Sequence, residues 1–167
     1  MDAIVILAHG SVLCGSGEAL WAHAERFIDH ELAESVAFGY LNYTDPPFIE
    51  AVSRCVAEGA TRIVVTPYFL APGKFVRVDV PAAIAAAKAQ YPDIEFVVGD
   101  VIGYDDLLAD AILDSAANAL PEEKWGEDLK RASAHCRADS ACPLYGTPAC
   151  PRQPFAPETA TEGATQP

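Results

Sequence analysis

His9 follows directly on an apolar run, Ala3-Ile4-Val5-Ile6-Leu7-Ala8, and precedes Gly10-Ser11. An imidazole so placed offers a nitrogen lone pair that holds a divalent metal or moves a proton near neutral pH. The same position also suits a histidine that caps a following helix or bonds a backbone carbonyl. Cys14, a few residues on, adds a soft thiolate donor for a borderline metal, or a loop thiol that packs as a small hydrophobe. Ser11 can donate to a ligand carboxylate or cap the turn. Lys74 and Arg77 supply cations in a stretch bounded by Pro72-Gly73 and Asp79. Charge-assisted pairing with carboxylates is the chemistry open to them, ordinary loop solubility the alternative.

A second group lies near the C-terminus. Cys136, Cys142 and Cys150, with His135 adjacent, could give soft ligands to zinc or an iron–sulfur cluster. Five and seven residues separate these cysteines, and prolines intervene, so the spacing lacks the tight Cys-x-x-Cys pair of a metal knuckle. An incidental tail is the competing reading.

The elements that must position His9 follow from periodicity. The apolar run 3–8 reads as a buried parallel strand. Leu20, Ala24, Phe27, Ile28 and Leu32 then recur at helical spacing, with His23 and His30 at the border of the stripe as surface residues. Val36 to Leu41 is a second strand, and Asp45 ahead of Pro46-Pro47 is placed to cap a second helix. That helix turns Phe48, Val52, Cys55 and Val56 inward and stops at Gly59, a residue suited to the left-handed position after a helix. Arg62 to Pro67 is a third strand, too continuously apolar to be half exposed, and Tyr68 to Val78 a long loop at its tip, of the kind that tends to be functional. Asp79 can cap a third helix carrying Ile84, Ala87 and Tyr91, ended by Pro92 before a strand over Ile94 to Gly99. A last helix runs from about Asp105 to Leu120. Strands alternating with helices at short spacing predict a doubly wound parallel four-stranded sheet with helices on both faces. The tips of the first and third strands then share the edge at which such sheets bind ligands.

A chain of 167 residues fits one domain with room for a tail, and it can bury a core without staples. We expect a domain over 1–120 and a Cys- and Pro-containing extension over 121–167, its end rich in Pro, Ala, Thr, Glu and Gln and partly disordered. A formal charge of −13 excludes a nucleic-acid partner, whose phosphates demand a basic footprint. With no apolar stretch near the roughly 20 residues of a membrane span, no basic export-type start and an odd number of cysteines, the expectation is a cytoplasmic protein holding thiols.

Three motifs, in order, resemble the CbiX/SirB sirohydrochlorin chelatases: Ile6-Leu7-Ala8-His9-Gly10-Ser11, Gly59-Ala60-Thr61-Arg62-Ile63-Val64-Val65, and Pro67-Tyr68-Phe69-Leu70-Ala71-Pro72-Gly73 followed by Asp79-Val80-Pro81. The resemblance covers roughly residues 3 to 120. It implies a flavodoxin-like (chelatase-type) α/β fold and insertion of divalent cobalt or iron into sirohydrochlorin, in cobalamin or sirohaem biosynthesis. It further implies that His9 is the metal-binding and acid/base residue, and that the chain pairs as a homodimer, as short members of the family do. Cysteine-bearing extensions near an iron–sulfur centre also occur in some longer members.

Two positions depart from the family pattern. Phe75 stands where members carry a second histidine, four residues before the aspartate, and Asn42 stands where a glutamate is common. Neither side chain titrates or, in the case of Phe75, holds a lone pair. Three readings follow. The chain is an enzyme working with His9 alone or with Cys14 as a replacement ligand; or it is a non-catalytic protein that binds or delivers a tetrapyrrole or metal, with Phe75 as a stacking surface; or the glycine-rich turn Gly10 to Gly17 holds a phosphate, although it fits neither common phosphate-loop fingerprint.

Overall fold

The structure, a computed structural model, describes residues 1–11, 16–119, 121, 124, 144–147 and 150, without the side chains of 16–19 and 21. The described elements are β1 (Asp2–Ala8), α1 (Ser16–Asp29), β2 (Ser35–Tyr40), α2 (Phe48–Ala57), β3 (Arg62–Pro67), a π-helical turn (Phe75–Asp79), α3 (Val80–Gln90), β4 (Glu95–Val98) and α4 (Asp106–Ala117). The strands form one sheet in the order β2-β1-β3-β4, parallel throughout. The expected doubly wound α/β sheet is therefore what forms.

Alternation along the strands sorts the core into two layers. Ala3, Val5 and Leu7 of β1 join Ile63 and Val65 of β3 beneath Phe48, Val52 and Cys55 of α2 and Ile84 and Ala87 of α3. On the opposite face Ile6 and Ala8 meet Leu20 and Ala24 of α1, together with Val36 and Tyr40. Chain order reverses between β1 and β3, so their carboxyl ends form the switch point where open α/β sheets take ligands.

Four local expectations need correction. Asp45 does not cap α2: Pro47 occupies that position at φ −57° and ψ 150° with no side-chain cap, so the helix starts only at Phe48, two residues later than an Asp45 cap would start it. Asp79 does not cap α3 either. The chain is already helical there, and the Asp79 carboxylate instead takes the Lys74 ammonium at 3.2 Å. The loop expected over Tyr68 to Val78 is correspondingly shorter, since Phe75–Asp79 is wound as a π-helical turn closed by the Val80 N–H on the Phe75 carbonyl. Finally, α1 ends at Asp29, and the chain turns through Glu31 at φ 52°, so His30 lies past the helix and Ile28 and Leu32 remain exposed. Those two line an open groove of about 590 Å³ with Met1, Asp2, Glu31, Ala33 and Glu34 at the end of the sheet away from His9.

Gly59 occupies the left-handed position after α2 as expected, at φ 97°. Asp105 caps α4, its carboxylate accepting from the Leu107 N–H at 2.8 Å. None of the residues of α4 is buried; Leu107, Ile112 and Leu113 are exposed. No helix among the described residues is long and apolar enough to cross a membrane.

Candidate functional site

Parallel pairing of β1 with both neighbours carries three loops to one edge. The Leu7, Ala8 and His9 carbonyls accept from the backbone N–H groups of Tyr68, Leu41 and Asn42 at 2.8, 2.9 and 2.9 Å. The tip of β1 is thus clamped on both sides before the chain turns at Gly10. That turn requires glycine twice over: φ is 93°, and a Cβ would stand 1.8 Å from the Asn42 carbonyl oxygen. The Thr44 hydroxyl then pins the turn, accepting from the Ser11 N–H and donating to the Ser11 carbonyl, both at 2.7 Å.

His9 is half-buried at this clamp, and the alternation of Ala3, Val5 and Leu7 into the α2/α3 layer carries on to it. Its Nδ1 lies 2.9 Å from the Gly10 carbonyl oxygen. A carbonyl only accepts, so in the neutral imidazole this contact calls for the tautomer with the proton on Nδ1 and the lone pair on Nε2. Two aromatic rings bracket the imidazole. Phe75 lies at 4.1 Å between centroids, tilted by 54°, and Tyr43 meets it at 5.7 Å in an edge contact. Tyr43 holds a left-handed backbone at φ 62°, a strained conformation for a bulky residue.

The remaining expected site residues are distributed as follows. Ser11 is adjacent, with its backbone committed to Thr44. Lys74 and Arg77 flank Phe75 and are exposed. The Lys74 ammonium sits 5.6 Å from the Phe75 ring centroid while paired with Asp79; Arg77 has no ion pair among the described residues. Asn42 serves through its backbone, its side chain exposed. Cys14 lies outside the described residues, as do Cys136 and Cys142; Cys150 is half-buried. Among the described residues no group of three or more His, Cys, Asp or Glu could hold a metal. His9 is therefore the donor at this edge that sequence reasoning and structure have in common. Tyr43 and Thr44 were not anticipated. The signal for them was available, because a loop leaving β2 must pass the tip of its parallel neighbour β1.

His23 was expected to be a bystander. It is exposed on α1, but its ring stands 5.2 Å from that of Tyr68, the first residue after β3.

The family model CbiX matches residues 3–119. A sirohydrochlorin cobaltochelatase of Methanocaldococcus jannaschii is 30% identical over 140 residues, covering 70% of this chain and 98% of that protein. A chloroplastic sirohydrochlorin ferrochelatase of Arabidopsis thaliana is 28% identical over 146 residues, covering 87% of this chain and 64% of that protein. Among solved structures, a cobalamin biosynthesis CbiX protein from Marinobacter aquaeolei VT8 superposes with a TM-score of 0.59 at 29% identity, covering 78% of this chain and 99% of that one. The sirohydrochlorin chelatase SirB of Bacillus subtilis subspecies spizizenii, in complex with cobalt, shares the fold at a TM-score of 0.66 and 24% identity, covering 79% of this chain and 60% of that one.

Proposed function

The chain belongs to the CbiX family, and on that premise we propose that it is a sirohydrochlorin chelatase, inserting divalent cobalt or iron into the tetrapyrrole. The observation that carries this reading is the His9 imidazole, held at the switch-point edge with Nδ1 on the Gly10 carbonyl and Nε2 left as a lone pair. The metal is substrate here, so it must be gripped briefly and released. A single imidazole suits that task better than a closed cage of ligands would.

Insertion requires the ion to shed water and the pyrrole N–H protons to leave. One lone pair cannot serve both needs together, so the steps are ordered. His9 Nε2 ligates the ion first; when the ion passes to the ring nitrogens, the freed nitrogen accepts one pyrrole proton. The other proton leaves to solvent. Phe75 offers its remaining face for the macrocycle to stack on, and Ser11, Lys74 and Arg77 serve the substrate carboxylates. Arg77 is the readier of the two cations, because Lys74 is paired with Asp79.

The exposed apolar side chains of α4 support assembly as a homodimer, whose second copy would cover Leu107, Ile112 and Leu113. We assign the protein to the cytoplasm, where a reduced buried thiol such as Cys55 persists. Zinc or iron–sulfur binding in the C-terminal extension forms no part of this reading.

The test is anaerobic turnover of sirohydrochlorin with each ion in turn, followed by the visible absorbance of the free pigment. The protein accelerates metal-dependent loss of that absorbance, and His9→Ala returns the rate to the spontaneous one. Unchanged turnover in His9→Ala removes the imidazole from the mechanism. Phe75 favours one second reading, because it fills an expected ligand position with a ring that binds no metal. In that case the protein binds pigment saturably and does not accelerate insertion.

A further inference from the structure

We propose that His23 and Tyr68 form a carboxylate-recognition subsite of the same edge, on the face of the sheet opposite Phe75. This rests on the chelatase reading and adds a specificity determinant to it. The β1–β3 register pairs Leu7 with Pro67, so Tyr68 comes opposite Ala8, one residue before His9, where the strands end. The His9 and Tyr68 side chains depart to opposite sides. Leu7, Ile63 and Val65 alternate into the α2/α3 layer, and His9 meets Phe75 there; Tyr68 meets His23 of α1 at 5.2 Å. Two imidazole–aromatic pairs thus straddle one edge, their rings about 10 to 15 Å apart by the spacing of strands and packed layers.

Charge gives the second pair its use. The protein carries a formal charge of −13, yet the proposed substrate is a polycarboxylate, so hydrogen-bond donors at the edge must offset a repulsive field. Lys74 is engaged by Asp79. The His23 ring nitrogens and the Tyr68 hydroxyl have no hydrogen-bond partner among the described residues, and both side chains are exposed, Tyr68 by 38%. An imidazole donates an N–H whether neutral or protonated, and a phenol adds an O–H beside it. A macrocycle lying across the strand tips with its centre at His9 brings peripheral carboxylates toward this pair.

The experiment is steady-state kinetics of the full chain with sirohydrochlorin and cobalt, with each variant's fold confirmed by thermal melting. His23→Glu raises KM for the pigment by about fivefold or more, His23→Gln by about twofold, and His23→Arg leaves it within about twofold of the parent, while kcat holds in all three. Tyr68→Phe raises KM by about twofold. A His23→Glu variant with unchanged KM overturns the subsite, and so does a loss confined to kcat. If the parent chain binds pigment without turnover, the Kd for pigment replaces KM and the same comparison decides. If the parent chain neither binds nor metalates sirohydrochlorin, the chelatase reading fails first and takes this one with it.

Discussion

Phe75 lies over the His9 imidazole at 4.1 Å between ring centroids, tilted by 54°. The contact depends on a π-helical turn that begins at Phe75 and ends at Asp79, packing an additional residue into the winding before α3. The aromatic ring therefore occupies the neighbourhood in which a second donor would face His9, and it shields one face of the imidazole from water.

Phe75→His places a second lone pair beside the first. We expect turnover of sirohydrochlorin to rise by about tenfold or more, and cobalt affinity to rise with it, read by absorbance assay and metal titration. A variant no faster than the parent would show that the aromatic ring, not a missing donor, is what this site uses.

Gly10→Ala tests the clamp under His9. The new methyl group meets the Asn42 carbonyl oxygen at 1.8 Å in a backbone of φ 93°, so turn and loop must both shift. Urea denaturation should show a loss of about 2 kcal/mol or more, with activity lost as well. A stable, active variant would contradict the close packing of these two loops.

Cys55 links stability to alkaline pH. Its side chain is fully buried, and desolvation pushes the thiol above its ordinary value of 9.0, with Glu58 adding to the rise and the Ser35 hydroxyl opposing it. Above the ordinary value the unfolded chain loses this proton while the native chain keeps it. The resulting stability is therefore complete below that pH and falls as pH rises through the native value. Unfolding free energy measured between about pH 8 and 10 should decline more steeply for the parent than for Cys55→Val. Parallel curves would remove Cys55 from the linkage.

Leu113→Glu tests assembly through α4. Leu113 is 66% exposed, so a charge there costs the isolated chain little. Light scattering should report a dimer for the parent and a monomer for the variant, with thermal stability of the monomer fold changed little. A parent that is monomeric at micromolar concentration would discard the homodimer.

Much of this architecture is legible in the sequence. The apolar runs of β1, β2 and β3 point to a parallel sheet, although Val64 and Thr66 of β3 are half-buried where the continuous run implied full burial, and Gly59 marks the end of α2. His9 was legible as well, because a polar residue ending a buried strand falls at the ligand edge. Capping was less so. Asp45 and Asp79 are residues that favour helix starts, but local preference yields when an extended proline such as Pro47 takes the cap position or when helical backbone already precedes the residue. Ile28 and Leu32 fit the stripe of α1, yet the helix ends at Asp29 and leaves them in a groove beyond the core.

The chain by itself determined which residues are apolar and at what period, and hence the order of strands and helices and the position of one imidazole at a strand tip. Only the tertiary structure decided what surrounds that imidazole: Phe75 on one face, Tyr43 at the edge, Thr44 holding the turn, and His23 with Tyr68 across the sheet. The reason is physical. Periodicity is a property of neighbours in sequence, whereas these partners are separated by tens of residues and meet because parallel pairing brings the ends of β1, β2 and β3 together.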